Sequence, residues 1–145
     1  MRYLLDTCVV ASALRFRLGA SNLILRWALE GRLPVVIHYK LLSEYREVLG
    51  RMVADGGIPF TGKQVDRFLA SLVGVADEIT IRFLWRPNLR DEGDNFVFET
   101  AVAASPCTIV THNARDFESP ELRWPDVEVR TPQQLIQERK TRGGR

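Results

Sequence analysis

The stretch YLLDTCVV, residues 3–10, places a carboxylate directly after a short apolar run. The run is typical of a buried strand, and Asp6 stands where that strand ends. A buried carboxylate is costly unless a cation, a hydrogen-bond network or solvent compensates its charge. Two interpretations are therefore open: Asp6 begins a loop, or it serves a functional site.

Similar apolar runs recur along the chain and alternate with amphipathic segments. Continuous apolar runs indicate strands covered on both faces, and their alternation with helices indicates a parallel sheet. Ligands of such sheets bind beyond the carboxyl ends of the strands, where Asp6 lies. The predicted strands are Tyr3–Asp6, Pro34–Ile37, Glu78–Ile81, Cys107–Thr111 and Val127–Arg130. The predicted helices cover 21–31, with Ser21 as its cap, and 39–54, 61–74, 92–104 and 131–140.

The composition is that of a folded domain, with 46% hydrophobic and 26% charged residues in a chain of 145. No apolar run approaches the ~20 residues that span a bilayer, and no secretory leader is recognisable, so we expect no membrane partner and a cytoplasmic location. The two cysteines lie far apart and favour neither a disulfide framework nor a zinc site. We expect one domain over residues 1–140 and a flexible basic tail over 141–145.

Several carboxylates fall where hydrophobic side chains are expected. On the second predicted helix, Glu44 borders the apolar stripe, whereas Glu47 points away from it. On the fourth predicted helix, Asp94 lies within the apolar side, while Glu99 is expected at the surface. Simpler interpretations remain open, because Glu44 could pair with a nearby basic residue and Asp91 or Asp94 could cap the helix.

A further polar cluster follows the strand that ends at Thr111. Asn113 and Asp116 belong to this cluster and could simply close the turn there. Carboxylates from distant segments cannot pack together without compensation, which hard divalent cations with oxygen ligands supply. Neither histidine, His38 or His112, has metal-ligand or triad spacing. The four candidate acids are Asp6, Glu44, Asp94 and Asp116.

Four segments in order, YLLDTCVVASAL, LLSEYREVL, DEGDNFVFETAVA and IVTHNARDF, resemble the PIN domains, and among them the VapC-like toxins of toxin–antitoxin modules. The resemblance covers most of the chain. It implies an α/β fold, a three-layer α/β/α sandwich with a central parallel sheet. It also implies a ribonuclease dependent on Mg²⁺ or Mn²⁺, with RNA as substrate, a small antitoxin protein as partner and a homodimeric state.

The same resemblance assigns roles to individual residues. In the family the last acidic cluster commonly reads Thr-x-Asp, whereas the third place here is Asn113, which keeps a coordinating oxygen but carries no charge. Many relatives have Asn after the Asp-Thr pair, where this chain has Cys8. The implied catalytic and metal-binding residues are Asp6, Glu44, Asp94 and Asp116, and the implied supporting residues around them are Thr7, Asp91, Thr111 and Asn113.

Two other functions compete with this one. A PIN module that has lost catalysis could bind RNA or a protein without cleaving anything, and Asn113 keeps that alternative open. A phosphatase of the haloacid dehalogenase type also begins with an Asp at a strand end. That family needs a second Asp two places later, where this chain has Cys8, so the phosphatase ranks lower.

Overall fold

Parallel strands form the centre of the fold in the computed structural model, which describes residues 1–80, 92–117 and 124–142, without the side chains of 92–95. The strands are Arg2–Leu5 (β1), Val36–Ile37 (β2), Asp77–Glu78 (β3), Cys107–Val110 (β4) and Val127–Arg130 (β5). The helices are Thr7–Arg15 (α1), Ala20–Leu29 (α2), Tyr39–Ala54 (α3), Gly62–Val75 (α4), Glu92–Ala103 (α5) and Pro132–Thr141 (α6), with a short 3₁₀ helix at Ala114–Phe117.

Strand β1 lies in the middle of the sheet. It pairs in parallel with β4, which pairs in parallel with β5, while β2 and β3 form a second parallel pair. A parallel bridge between Tyr3 and Val35 joins the two groups, and the Tyr3 N–H donates to the Pro34 carbonyl at 2.8 Å. The order β3-β2-β1-β4-β5 follows, which confirms the predicted parallel sheet.

Helices cover both faces of this sheet. Leu4 and Leu5 are 0% and 2% exposed, and Ile109 and Val110 are both fully buried. Successive strand residues point to opposite faces, so burial of consecutive residues requires cover on each side. Helix α5 packs on β4, while α1 packs against α2 and α3, α3 against α4, and α2 against α6. The predicted α/β sandwich is confirmed.

The helix α1 has no counterpart among the predicted helices. Asp6 caps it, because its side chain accepts a hydrogen bond from the Thr7 N–H. The predicted cap at Ser21 is wrong, since Gly19 is the N-cap of α2 and Ser21 lies inside the helix. Ser21 is instead 2% exposed, and its hydroxyl hydrogen-bonds the His112 Nε2 at 3.1 Å.

The remaining helix starts agree with the sequence more closely. Thr61 and Thr131 cap α4 and α6, each with a reciprocal capping box. Strand β3 is shorter than predicted, and Ile81 lies outside the described residues. Thr141 ends α6, and residues 143–145 of the predicted tail also lie outside the described residues.

In the part of the chain that the structure describes, no single helix is long and apolar enough to cross a membrane. Only α1 and α2 taken together, bent by 103°, meet that requirement of length and composition.

Candidate active site

Asp6 lies at the carboxyl end of the central strand and is 9% exposed. One carboxylate oxygen, Oδ1, accepts a hydrogen bond from the Thr7 N–H at 2.9 Å. The other, Oδ2, accepts one from the Thr111 hydroxyl at 2.7 Å. These two donors offset part of the cost of burying the carboxylate.

Thr111 connects this carboxylate to the turn after β4. Its side chain is fully buried, and besides donating to Asp6 its hydroxyl accepts the Asn113 N–H at 3.1 Å. The backbone repeats the connection, because the Asp6 N–H donates to the Val110 carbonyl at 2.9 Å. The ends of β1 and β4 are therefore held together by side-chain and main-chain bonds at the same edge of the sheet.

Helix α3 is tied to the same edge by Tyr45. The phenol is buried and donates a hydrogen bond to the Leu5 carbonyl, one residue before Asp6. Burial raises the pKa of Tyr45 well above its ordinary value of 10.0, and the charges of Asp6 and Glu44 raise it further. The phenol thus stays a donor at neutral pH. The adjacent residue, Glu44, is half-buried, so the hydrogen bond holds the segment bearing this second acid against the end of β1.

Cys8 is a second side chain beside the carboxylate, after Thr111. Its Sγ lies 3.7 Å from Asp6 Oδ2 and 3.6 Å from the Thr111 hydroxyl oxygen. Burial raises the pKa of the Cys8 thiol above 9.0, and the nearby Asp6 charge raises it further. At neutral pH Cys8 is therefore a protonated thiol, and it can donate a weak hydrogen bond to the carboxylate.

The other predicted site residues occupy different environments. Asn113 and Asp116 are exposed, at the turn and on the 3₁₀ helix that follow β4. Thr7 is 7% exposed, and its hydroxyl has no hydrogen-bond partner among the described residues. Asp91 and the side chain of Asp94 lie outside the described residues. Within the described set, no three His, Cys, Asp or Glu side chains form a group that could hold a metal ion.

The surface position expected for Glu99 is wrong. Glu99 is 4% exposed, because α5 is buried on every side over Val97–Ala101 rather than along one stripe. The angular count along the helix assumed a single buried face, which does not hold for a helix enclosed by the rest of the fold. A buried carboxylate on the helix that also carries Asp94 is an acid of interest that the sequence pattern missed.

The sequence also matches a family model. The model, described as a PIN domain, matches residues 2–115. The chain belongs to the PIN-domain family. The match includes the carboxyl ends of β1 and β4, where Asp6 and Thr111 meet. No curated protein matches this PIN domain.

Several solved structures share this fold. The PIN domain is 15% identical to a chain of VapBC2 from Rickettsia felis, solved with a promoter DNA fragment; the TM-score is 0.57 over 90% of this chain and 98% of that one. VapBC-1 from nontypeable Haemophilus influenzae gives 17% identity and a TM-score of 0.59 over 92% and 99%. A chain of FitAB bound to an IR36 DNA fragment is 22% identical, with a TM-score of 0.56 over 90% of this chain and 94% of that one. At these identities the likeness concerns the fold.

A second surface feature of this PIN domain is an apolar groove rimmed by arginines, between the end of α1 and the start of α4. Two cavities of about 680 and 270 Å³ share Leu14 and Phe60 in their walls. Leu18, which lines the larger cavity, is 95% exposed. Among the described residues that line the two cavities, none is acidic, and the basic ones are Arg15, Arg17, Arg26 and Arg67. We call this surface the Phe60 groove.

Proposed function

We propose that this PIN domain is a divalent-cation-dependent endoribonuclease and the toxin of a toxin–antitoxin pair. The observation that carries the proposal is the buried carboxylate of Asp6 at the carboxyl end of the central strand, held by the Thr7 N–H and the Thr111 hydroxyl. Membership of the PIN-domain family supports it, as does the fold shared with VapBC and FitAB proteins.

The carboxylate oxygens of Asp6 and Glu44 fit a hard divalent cation such as Mg²⁺ or Mn²⁺. A carboxylate offers about four acceptor positions on its two oxygens, and each oxygen of Asp6 accepts one short hydrogen bond. Acceptor capacity therefore remains for an ion. Glu44 is next to Tyr45, whose hydroxyl bonds the Leu5 carbonyl, and its carboxylate is a second oxygen ligand of the kind that these cations prefer.

In this proposal Asp6, Glu44, Asp94 and Asp116 would hold the cation, with Asp116 supplied by the 3₁₀ helix after β4. When bound, the cation activates water and stabilises the leaving oxygen in phosphodiester hydrolysis. The Thr111 hydroxyl and the Thr7 N–H fix both oxygens of Asp6 in place. We assign Thr7, Asp91, Thr111 and Asn113 to support of these acids and of the water around them.

Cleavage of a structured RNA by the purified chain tests the proposal. We expect cleavage with Mg²⁺ or Mn²⁺ and none with EDTA. Asp6→Asn and Glu44→Gln should each lower the rate by about 100-fold or more, since each removes a charged oxygen ligand. Glu47→Gln is the matched control: Glu47 lies on the same helix, three residues from Glu44, and is exposed, so its loss should leave the rate unchanged.

Two outcomes would redirect the assignment. Cleavage that survives both Asp6→Asn and Glu44→Gln would show that the acids proposed here are not the active site. RNA binding without cleavage, under every divalent cation tried, would favour the alternative in which the chain is a binding module without catalysis.

The Phe60 groove supports the second half of the proposal, an antitoxin partner. VapBC2, VapBC-1 and FitAB are names of two-component complexes. Exposed apolar side chains such as Leu18 and Phe60 mark interaction sites when they lie side by side. The arginine rim of the groove favours a partner segment with acidic residues flanking apolar ones.

Co-expression with any small protein that a reading frame adjacent to the chain's own gene encodes tests the partner. We expect a stable complex that blocks RNA cleavage and is weakened by Leu18→Glu or Arg67→Glu. Glu30→Lys, at an exposed position outside the lining of the groove, is the matched control and should leave the complex intact. A complex insensitive to both groove variants would place the partner elsewhere. The homodimer remains a prediction from the family.

A further inference from the structure

A group of aromatic side chains and one lysine lies where α3 and α5 meet. The rings of His38 and Tyr39 are 4.6 Å apart between centroids and tilted by 35°. The Phe96 ring meets His38 edge-on at 4.9 Å, and the Lys40 Nζ lies 5.5 Å from the Phe96 centroid. We call these four residues the Tyr39 platform.

The inner part of the platform is fixed and its outer part is open. His38 is 7% exposed, and its Nδ1 accepts the Lys40 N–H at 3.2 Å as the N-cap of α3. Packing against Phe96 holds the imidazole from a second helix. Tyr39 is 63% exposed, so most of its ring is accessible although its position is set by a buried neighbour.

The platform borders the candidate active site. Strand β2 ends at Ile37, and the Tyr3–Val35 bridge sets its parallel register with β1. Extending that register by three residues leads from Tyr3 to Asp6 and from Val35 to His38, the residues that directly follow β1 and β2. Adjacent strands are about 4.8 Å apart, so we infer that His38 lies beside Asp6. Lys40 is four residues before Glu44 on α3, and therefore on the same face of that helix.

Stacking on an open aromatic ring beside a cation is a common way to bind single-stranded nucleic acid. We propose that Tyr39 is a stacking surface for one base of the RNA whose phosphate lies at the Asp6 site, and that Lys40 contacts the phosphate backbone there. This inference rests on the proposed ribonuclease function and adds a substrate-binding site to it. Stacking tolerates all four bases, so the site fixes the position of the strand and not its sequence.

A second copy of the chain is the competing occupant of this surface. Val73, which is 43% exposed, and the exposed acid Glu78 line the same small cavity as Tyr39, so the surface on that side is partly apolar and partly acidic. Lys40 argues for RNA, because covering its ammonium with an apolar interface would be costly, whereas a phosphate compensates its charge.

The test measures binding of a 12-nucleotide single-stranded RNA carrying 2-aminopurine, with Ca²⁺ in place of Mg²⁺ and electrophoresis to verify that the RNA stays intact. For the wild type we expect quenching of 2-aminopurine at one or two positions. Tyr39→Ala should abolish that quenching and weaken binding about 5- to 100-fold, whereas Tyr39→Phe should retain both. Lys40→Ala should reduce the slope of the logarithm of the binding constant against the logarithm of the salt concentration by about 0.7 in magnitude, because one phosphate contact is lost.

The matched control is Phe16→Ala, which removes another exposed aromatic ring, 56% exposed, at the far end of α1. It should leave quenching and affinity unchanged. Wild-type affinity and quenching in Tyr39→Ala would overturn the stacking surface and leave the ribonuclease proposal intact. Unchanged RNA binding with a lost homodimer in Tyr39→Ala would assign the surface to a second copy. A wild type that binds and cleaves no RNA would overturn both proposals.

Discussion

Two substitutions at Asp6 should separate its role in the fold from its role in the proposed chemistry. Asp6 caps α1 through Oδ1 and accepts the Thr111 hydroxyl through Oδ2. Asparagine has one oxygen and one NH₂ group in these places. Its oxygen can still accept the Thr7 N–H. Its NH₂ can donate to the Thr111 oxygen, whose own hydrogen can then turn to Cys8 Sγ, 3.6 Å away.

The expected losses in stability follow from these contacts. Asp and Asn are nearly equal as helix N-caps, and exchanging one charge-assisted hydrogen bond for a neutral one costs about 1 kcal/mol. Asp6→Asn should therefore lower the free energy of unfolding by about 1 kcal/mol or less. Asp6→Ala removes the cap and leaves a buried hydroxyl without its acceptor, so it should cost about 2–4 kcal/mol. Asp66→Ala removes an exposed acid on α4 and should stay within about 0.5 kcal/mol of the wild type.

Urea denaturation followed by tryptophan fluorescence measures the three unfolding free energies, and calorimetric titration with Mn²⁺ and RNA cleavage measure function. Asp6→Asn should keep the fold and lose both metal affinity and cleavage. Equal destabilisation by Asn and Ala would refute the reversed hydrogen bond, because it would mean that the fold needs the negative charge itself. Full cleavage by Asp6→Asn would remove Asp6 from the active site.

Three further predictions concern Thr111, Tyr45 and His38. Thr111→Val should destabilise the chain by about 1–3 kcal/mol in urea denaturation and Thr111→Ser by much less, because only valine removes the buried hydroxyl. Tyr45→Phe should cost about 1 kcal/mol and weaken Mn²⁺ binding in calorimetry, since it releases the Leu5 carbonyl from α3. The pKa of His38, followed by NMR, should lie below 6.5 and rise in Lys40→Ala, because burial and the Lys40 charge both disfavour protonation; the stability linked to neutral His38 is therefore present above pH 6.5 and lost as the pH falls through its lowered pKa.

The parallel sheet, and the meeting of Asp6 and Thr111 at its carboxyl edge, could be predicted from the local sequence pattern. The apolar runs ending at Asp6 and Thr111 are strands β1 and β4, which pair side by side, and the Asp6–Thr111 hydrogen bond lies at their carboxyl ends. That prediction needs only the short continuous runs and the rule that ligands bind beyond the carboxyl ends of parallel strands. Whether the four predicted acids form one metal site stays a prediction, since the side chain of Asp94 lies outside the described residues.

The features that the local sequence pattern did not predict depend on tertiary packing. Helix α1 begins directly after a strand with no loop between them, and Val9 and Val10 in its first turns have modest helix propensity. The cap by Asp6 and the packing on α2 and α3 stabilise this segment as a helix. Glu99 and Ser21 are buried for similar reasons: one is enclosed on a helix packed all round, and the other faces His112, which is distant in sequence.

The hydrogen bonds around the candidate site also connect β1 to the neighbouring elements of the fold. The Asp6 N–H donates to Val110, the Thr111 hydroxyl donates to Asp6, and the Tyr45 phenol donates to Leu5, so β4 and α3 are both fastened to the end of β1. Because these bonds satisfy part of the Asp6 carboxylate without a metal, we expect the chain to fold with no cation bound, unlike small domains whose folding energy comes from the metal. Of the proposed ligands, Asp6 is the one whose position these bonds fix, because the Thr7 N–H and the Thr111 hydroxyl hold both of its oxygens. The stability of this sheet edge therefore sets how closely the Asp6 carboxylate is held.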